Sequence, residues 1–562
     1  MSHDLVIRDG QIVDGLGSKP FHGDVAIDGD RIVEVGDVAA AGKKEILADG
    51  NYITPGFVDI HTHLDAQFGW DPLGTSSCFH GITSVVLGNC GVTFAPCKPT
   101  DREYLAELME AVEDIPRASI LEGLAWDWQT YGEYLQALDR LPKGINVGGM
   151  VGHCAVRYAA MGERSLDETP ATSSDIANMC ELVDEAIGAG ALGFSTSRTF
   201  LHRVPDGRPV PGTYAQPEEL LAIGGVLGKH QRGVFEAAAR LGERDAPDLP
   251  NTRKEVGWMG ELSRQNNVKV TFGLAHSERR ETLYKSVVDF AKEENAAGAQ
   301  LRPQTTSRPI GSLYSLHNRT MFDRTPEWRE FIAHSMAEKL NLLADAGFRE
   351  KLVNAVDLDE IELDFNRLYV LKSGHVRYDM QPSDSLGQLA RDRNKNIIET
   401  FIELNLETRG DVVFYYAFLN QRLEPIEYML DQPVVAMGLA DSGAHVGQIM
   451  DASQPTWLLC YWVREREMLS VEDAVRRWTS DTADLFGITQ RGRIEPGAYA
   501  DLNVIAMDEL GMDVPSYQYD FPGAAGRYVQ RAFGYKHTIV NGKHFLTDGV
   551  HTGELAGTTL RS

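Results

Sequence analysis

The feature that most constrains this fold is an alternation of apolar, strand-like runs with helix-like runs across residues 58–485. Strands of nearly continuous apolar residues are typical of parallel sheets that are covered on both faces. Parallel strands joined by helices form βαβ units, and about eight such units close into a barrel. The sequence therefore predicts an α/β protein with a (β/α)8 TIM-like barrel over 58–485. The strand-like runs lie at 81–89, 145–153, 190–197, 232–240, 268–276 and 433–441.

The two ends of the chain have a different pattern. Residues 1–57 and 486–562 contain short alternating runs between Gly and Asp, such as GDVAIDGDRIVEVG, which are typical of antiparallel hairpins. Asn541-Gly542 lies between two strand-like runs and predicts a type I′ turn. We expect both ends to assemble one small β-sandwich domain beside the barrel.

One long segment does not fit the alternation. Residues 305–400 include the run FDRTPEWREFIAHSMAEKLNLLADAGFREKLVNAV, which favours helix over most of its length. We expect a helical insertion in the barrel, and a lid over the site is one role open to it.

Composition excludes several classes of function. The net charge of −27 argues against nucleic acid or an anionic membrane as the main partner, because both require a basic face. The six cysteines show no paired framework, and the N-terminus shows no signal peptide. We expect a soluble cytoplasmic protein that acts on a small molecule, and homo-oligomers are compatible with this pattern.

Polar side chains stand at the ends of the predicted strands. His61 and His63 end the run GFVDIHTH, and the two-residue period of a strand places both on one face. In a barrel, active sites are built at the C-terminal rim of the strands. One polar strand end is unremarkable, but packing alone hardly explains one on most strands of a single barrel. The remaining examples are Cys90, His153, His276 and Asp441, and Glu236 lies inside the run GVFEAAAR.

Imidazole, thiolate and carboxylate are the side chains that bind Zn²⁺ and similar ions. A divalent ion makes hydroxide available at neutral pH, and a neighbouring carboxylate can take up and deliver a proton. The sequence thus predicts a hydrolase with one or two divalent ions, and Asp441 is the candidate general base and acid.

At these residues the sequence resembles the amidohydrolase superfamily. The match rests on PGFVDIHTH, on the Asp that ends the eighth strand, and on the returning tail GRIEPGAYADLNVI. GNCGV at 88–92 is similar to the N-acyl-D-amino-acid deacylase (D-aminoacylase) branch, in which a strand-end Cys binds metal where relatives use a carboxylated Lys. The resemblance covers nearly the whole chain outside the insertion.

This resemblance implies that His61 and His63 bind one ion. Cys90 and His276 would belong to a second position, with Asp441 as general acid and base and as a possible ligand. Family members commonly carry a His on the fifth strand where this chain has Ala238. Glu236 lies two residues earlier on the same face and is the candidate replacement, as an oxygen ligand or a second base. Alternatively, the site holds a single ion.

The substrate contacts are less defined. The family's substrate-carboxylate Arg has no counterpart after Asp441, so Arg157, Arg198 or Arg203 would supply that contact, or the substrate carries no carboxylate there. His153 and Ser195 are the other expected substrate contacts.

Each candidate has a structural alternative. His61 and His63 can be a polar strand end, and Cys90 can be a small buried apolar residue. His276 can be an ordinary buried or surface histidine, and His153 can bond a loop. Glu236 can pair with an Arg, and Asp441 can be the N-cap of the helix at SQPTWLL.

Three functions therefore remain open. The leading one is hydrolysis of the amide bond of an N-acyl amino acid or related acylated amine. The runner-up is cyclic-amide hydrolysis of the dihydroorotase or hydantoinase type. The third is a barrel that has lost catalysis and serves as a binding or scaffold protein.

Overall fold

The computed structural model describes residues 2–562. Its strands, in chain order, are β1 (His3–Ile12), β2 (Phe21–Asp28), β3 (Arg31–Gly36), β4 (Gly42–Leu47), β5 (Tyr52–Pro55), β6 (Phe57–Asp59), β7 (Ile82–Leu87), β8 (Asn146–Gly152), β9 (Gly193–Ser197), β10 (Val234–Ala238), β11 (Lys269–Gly273), β12 (Leu301–Thr305), β13 (Ile310–Tyr314), β14 (Leu368–Val370), β15 (Phe414–Leu419), β16 (Ala436–Met437), β17 (Leu502–Ile505), β18 (Gly511–Met512), β19 (Ser516–Gln518), β20 (Arg527–Val529), β21 (Ala532–Phe533), β22 (Tyr535–Val540), β23 (Lys543–Thr547) and β24 (Val550–His551).

The α-helices are α1 (Arg102–Glu113), α2 (Arg117–Gly123), α3 (Tyr131–Arg140), α4 (His153–Met161), α5 (Ser173–Ala189), α6 (Pro217–His230), α7 (Pro250–Asn266), α8 (Leu283–Ala296), α9 (Pro326–Ile332), α10 (Met336–Ala344), α11 (Ala346–Asn354), α12 (Leu386–Arg393), α13 (Ile397–Glu407), α14 (Leu423–Leu430), α15 (Gln454–Trp457), α16 (Val471–Trp478) and α17 (Ser480–Leu485). A π-helical segment, Leu458–Glu465, continues α15. Across residues 2–562, no helix is both long and apolar enough to span a membrane.

An eight-stranded parallel sheet forms the centre of the molecule. Its strand order is β6-β7-β8-β9-β10-β11-β12-β16. A parallel bridge between Thr62 and Ser442 joins the chain just after β6 to the chain just after β16. The amide of His63 donates to the carbonyl of Ser442 at 2.7 Å across the same seam. The predicted TIM-like barrel is therefore confirmed at the level of its eight parallel strands.

The strand that the sequence analysis did not assign is β12. Its sequence, Leu-Arg-Pro-Gln-Thr, breaks the apolar pattern at three consecutive residues. Tertiary contacts nevertheless make it a strand, since it pairs in parallel with β11 and β16.

Both ends of the chain contribute to one nine-stranded sheet. The order is β24-β23-β22-β17-β5-β1-β2-β3, with β4 beside β1, and the antiparallel pair β17–β5 joins the two ends. The Asn541-Gly542 turn connects β22 to β23, and both residues have positive φ (46° and 73°), as a type I′ turn requires. A two-layer sandwich, and the boundaries 1–57, 58–485 and 486–562, stay predictions.

The segment between β12 and β16 forms a substructure with its own apolar core. Helices α9–α13 and a three-stranded antiparallel sheet, β13-β15-β14, surround an apolar cluster of their own. The segment is thus less purely helical than expected. It contacts the loop after β16, where the amide of Leu313 donates to the carbonyl of Gln448 at 2.6 Å.

A buried polar network joins the nine-stranded sheet to the end of the barrel opposite the strand C-termini. Asp501 pairs with Arg491, and its carboxylate also accepts from the Asn146 side chain (3.0 Å) and the Asn541 amide (2.7 Å). Each of these four residues is at least nine-tenths buried. Buried charges are stable only when they are paired and hydrogen-bonded.

We expect Asp501→Ala to destabilise the protein by about 3–5 kcal/mol, because it leaves the Arg491 cation buried without its partner. Urea unfolding followed by circular dichroism measures this loss. Asp139→Ala, which removes an exposed pair with Arg561, is the control and should cost at most about 1 kcal/mol. Equal effects of the two variants would contradict this role of the network.

Candidate metal centre

His61 and His63 lie at the C-terminal end of the first barrel strand. Both side chains are buried, and their ring centroids are 5.7 Å apart. The Thr62–Ser442 bridge extends the strand pairing past β6, so the two-residue period holds through this stretch. Both rings therefore face the same side, as the sequence analysis predicted.

Cys90 joins these two histidines. Its Sγ lies 3.5 Å from Nε2 of His61, and one ligand atom from each of His61, His63 and Cys90 lies within 4.8 Å of the other two. The resemblance had implied that Cys90 shares its ion with His276. The structure groups Cys90 with the His-x-His pair, and an ion shared by Cys90 and His276 stays a prediction.

The turn that carries Cys90 has an unusual backbone. Gly88, Cys90 and Gly91 all have positive φ, of 72°, 54° and 76°. Ser195 holds this turn, because its hydroxyl accepts from the Gly91 amide at 3.0 Å and donates to the Gly88 carbonyl. The Ser195 hydroxyl is therefore already engaged inside the protein, and its predicted substrate contact stays a prediction.

Asp441 completes the cluster from the far side of the barrel seam. One carboxylate oxygen lies 3.0 Å from Nε2 of His61 and 3.6 Å from Nε2 of His63. Desolvation opposes ionisation, but the two imidazoles outweigh it and hold the pKa of Asp441 well below its usual range. Asp441 is not the N-cap of helix α15. Ser453 occupies the N-cap position, and Asp441 lies twelve residues before Ser453.

Glu236 is hydrogen-bonded to the backbone of Cys90. Its Oε2 accepts from the Cys90 amide at 3.0 Å, whereas its buried Oε1 has no hydrogen-bond partner. Burial raises the pKa of Glu236 to about 7. Within residues 2–562 no Arg pairs with Glu236, so the structural ion pair considered from the sequence is not formed.

His276 is buried but is not part of the three-residue group. Neither ring nitrogen has a hydrogen-bond partner, and Nε2 lies 3.6 Å from a carboxylate oxygen of Glu281. The backbone of His276 is fixed by Asn420, which accepts from its amide at 2.7 Å. A buried imidazole without a hydrogen-bond partner is costly, which is compatible with a role for His276 as a metal ligand. That role stays a prediction.

The donor set fits a divalent ion. Two imidazoles, a thiol and a carboxylate converge here, and these are the ligand types that Zn²⁺ takes. Nε2 of His63 and Oε1 of Glu236 are buried and lack partners within the protein. Buried polar atoms are normally satisfied, so unpartnered ones converging at one place are what a bound ion explains.

The expected substrate residues His153 and Arg157 bond to other protein groups. His153 bonds Glu219 and Thr196, each at 2.8 Å, and Arg157 donates to Glu219 at 2.9 Å. His153 thus bonds side chains of strand β9 and helix α6 and not a loop, and burial lowers its pKa, which favours the neutral ring.

The other two arginines are likewise engaged. Arg198 is buried against Glu255 at 3.3 Å, and Arg203 donates to the Gly207 carbonyl at 2.6 Å. The substrate roles of all these residues remain predictions.

Two residues that the sequence did not predict contact the histidines. Gln304 lies 3.1 Å from Nδ1 of His61, and Glu113 lies 3.4 Å from Nδ1 of His63. Gln304 is on the unassigned strand β12, and Glu113 ends an ordinary amphipathic helix, α1. Neither position carries a motif, so only the tertiary structure identifies them.

The sequence profile described as the amidohydrolase family matches residues 44–545, most of the chain. The chain belongs to the amidohydrolase family. The resemblance read from PGFVDIHTH and GNCGV is therefore confirmed.

Individual relatives are similar to this amidohydrolase over almost its full length. It is 25% identical to a D-aminoacylase of Alcaligenes xylosoxydans xylosoxydans, over 99% of this chain and 97% of that one. Its fold is similar to a crystal structure of D-aminoacylase, with a TM-score of 0.67, 24% identity and full coverage of both chains. It is also similar to N-acyl-D-glutamate deacylase from Bordetella bronchiseptica complexed with zinc and a phosphonate inhibitor, with a TM-score of 0.66, 21% identity and full coverage of both chains.

The cluster geometry predicts which residues hold the ion in this amidohydrolase. We expect His61→Ala, His63→Ala and Cys90→Ala each to lower the metal content from about one equivalent to below about a tenth, because each removes one of three close ligands. His276→Ala, which lies outside the group, should retain that ion. Elemental analysis of the purified variants measures the metal content. The assignment would be contradicted if His276→Ala lost the ion while the other three variants kept it.

Proposed function

We propose that this chain is a metal-dependent hydrolase that cleaves the amide bond of an N-acyl amino acid or a related acylated amine. The observation that carries the proposal is the Asp441 carboxylate 3.0 Å from Nε2 of His61, beside the His61–His63–Cys90 cluster. Family membership supports hydrolysis, and the names of the similar deacylases support an acylated amine as the substrate.

The ion and the carboxylate have separate tasks. A bound divalent ion, most simply Zn²⁺, supplies Lewis acidity and makes water acidic enough to ionise near neutral pH. Asp441 is ionised in this setting, so it can accept a proton from the attacking water. The same carboxyl then delivers that proton to the leaving nitrogen, which must be protonated to depart as an amine.

Glu236, which is bonded to the Cys90 amide, is proposed to support this chemistry. Its Oε1 is free of protein hydrogen bonds, and burial raises the pKa of its carboxyl group. It occupies the same strand face as Ala238, where family members carry a histidine. We assign it as an oxygen ligand or a second base.

The substrate is proposed to need no carboxylate clamp from Arg157 or Arg198. Arg157 and Arg198 are buried in ion pairs with Glu219 and Glu255, so binding a substrate anion would require breaking those pairs. A buried pair broken in this way costs several kcal/mol. This supports an acylated amine or amino-acid derivative in which the carboxylate contributes little to recognition.

We expect Asp441→Asn to lower kcat by about 10²–10⁴-fold while the metal content is retained, because the amide cannot accept the proton. The assay is release of free amine from an N-acyl substrate. Asp139→Asn, which changes an exposed carboxylate far from the ion, is the control. Equal rates for Asp441→Asn and the parent would remove Asp441 from the mechanism.

A substrate panel tests the proposed class. It contains N-acyl D- and L-amino acids, the same compounds as carboxamides, acylated amines, and cyclic hydantoins and dihydropyrimidines. We expect linear amides to be cleaved, and replacing the carboxylate by a carboxamide to change kcat/KM by less than about tenfold, or about 1.4 kcal/mol.

The panel also separates the alternatives. Cleavage of the cyclic compounds alone would favour the cyclic-amide hydrolase. No turnover of any compound, together with less than about a tenth of an equivalent of metal, would favour a non-catalytic binding protein.

A further inference from the structure

Each histidine of the pair has its second ring nitrogen against a buried polar side chain from another element. We propose that Gln304 and Glu113 are positioning residues that hold the imidazoles of His61 and His63 with Nδ1 protonated and Nε2 turned toward the ion. The inference rests on the proposed metal centre and names the two residues that preorganise it.

The orientation of the Gln304 amide is fixed by its neighbours. Thr271 donates its hydroxyl hydrogen to the Arg302 carbonyl at 2.7 Å, so its oxygen is left as an acceptor. The Gln304 Nε2 donates to that oxygen at 2.9 Å, which leaves Oε1 facing Nδ1 of His61 at 3.1 Å. The Leu439 amide also donates to Oε1, at 3.2 Å, which confirms that this atom is the acceptor.

The protonation state of His61 follows from this orientation. An amide oxygen can only accept, so Nδ1 of His61 must carry the hydrogen. The lone pair is then on Nε2, the nitrogen that lies 3.5 Å from Sγ of Cys90 and 3.0 Å from Asp441. A neutral imidazole with this tautomer is the form that binds a metal ion.

Glu113 plays the corresponding part for His63. Its Oε1 lies 3.4 Å from Nδ1 of His63, and neither atom has a hydrogen-bond partner elsewhere in the protein. A carboxylate oxygen facing Nδ1 favours the hydrogen there. Nε2 of His63 is then free for the ion, 3.6 Å from Asp441.

A purely structural role does not explain why Glu113 is buried. Its side chain is 4% exposed, and within residues 2–562 no Lys or Arg pairs with it. The side chains that face its carboxylate are His63 and, at 3.9 Å, His445, whose amide also donates to the Glu113 carbonyl. A buried carboxylate without a permanent cation is costly, and its contact with a metal-binding imidazole offsets that cost.

The two positioning residues differ in charge, since Glu113 carries a carboxylate and Gln304 a neutral amide. Carboxylate support of a metal-binding imidazole strengthens the ligand more than a neutral amide does. Loss of the Glu113 carboxylate should therefore weaken the ion more than loss of the Gln304 oxygen. Replacing the Gln304 amide by a carboxylate should maintain or strengthen the binding of the ion.

The experiment measures the dissociation constant of Zn²⁺ by competition with a chelator, without reference to turnover. We expect Glu113→Gln to bind Zn²⁺ about 10–100-fold more weakly than the parent, and Gln304→Met to show a smaller loss. Gln304→Glu should bind at least as tightly as the parent. Asp501→Asn, which removes the charge of a buried carboxylate at the opposite end of the barrel, should bind within about twofold of the parent.

A second readout uses the Co²⁺-loaded protein. The visible absorption bands report the ligand geometry, and we expect them to shift in Glu113→Gln and in Gln304→Met but not in Asp501→Asn. If Glu113→Gln does not fold, the opposite changes expected for Gln304→Met and Gln304→Glu still decide.

The outcomes distinguish this inference from the proposed function. A parent that binds no ion contradicts the proposed metal centre itself. A parent that binds Zn²⁺, together with Glu113 and Gln304 variants that bind it equally well and have unchanged Co²⁺ spectra, overturns the positioning role and leaves the hydrolase proposal intact.

Discussion

Closure of the barrel between Thr62 and Ser442 is the constraint on which the rest of the site depends. This seam joins the first and last strands of the parallel sheet. It brings His61 and His63, near the start of the chain, to Asp441, whose carboxylate is 3.0 Å from His61. An open sheet would leave the histidines and the aspartate on opposite edges. The ligand cluster is therefore a product of closure as much as of its residues.

Closure also concentrates charge in a place with little water. Burial raises the pKa of both Asp59 and Asp65 to about 7, and the same effect acts on Glu236. So many carboxyl groups around two imidazoles cannot all ionise without a further positive charge. A divalent ion supplies that charge, which is why acidic surroundings and a metal centre belong together here.

The layer inserted between β12 and β16 holds the loop that begins at Asp441. The Leu313 amide contacts the Gln448 carbonyl, and the buried guanidinium of Arg308 pairs with Asp451 at 2.9 Å. These contacts keep the loop in place next to the ion cluster. The insertion thus has a physical connection to the site, in addition to any role as a cover.

The sequence by itself determined the parts that depend on short-range pattern. Strand period placed His61 and His63 on one face, and the recurring strand and helix runs gave the parallel barrel, because both follow from backbone geometry within a few residues. The ligand chemistry was likewise readable from residue types at strand ends.

Tertiary structure decided the rest, because those contacts join residues far apart in the chain. Gln304 lies 243 positions from His61 and belongs to a strand with no apolar pattern. The grouping of Cys90 with the His-x-His pair required the positive-φ turn to be placed against the barrel. Arg157 pairs with Glu219 and Arg198 pairs with Glu255. These pairs required helices α6 and α7, which carry the two glutamates, to pack beside the arginines. No local period encodes such contacts; packing alone creates them.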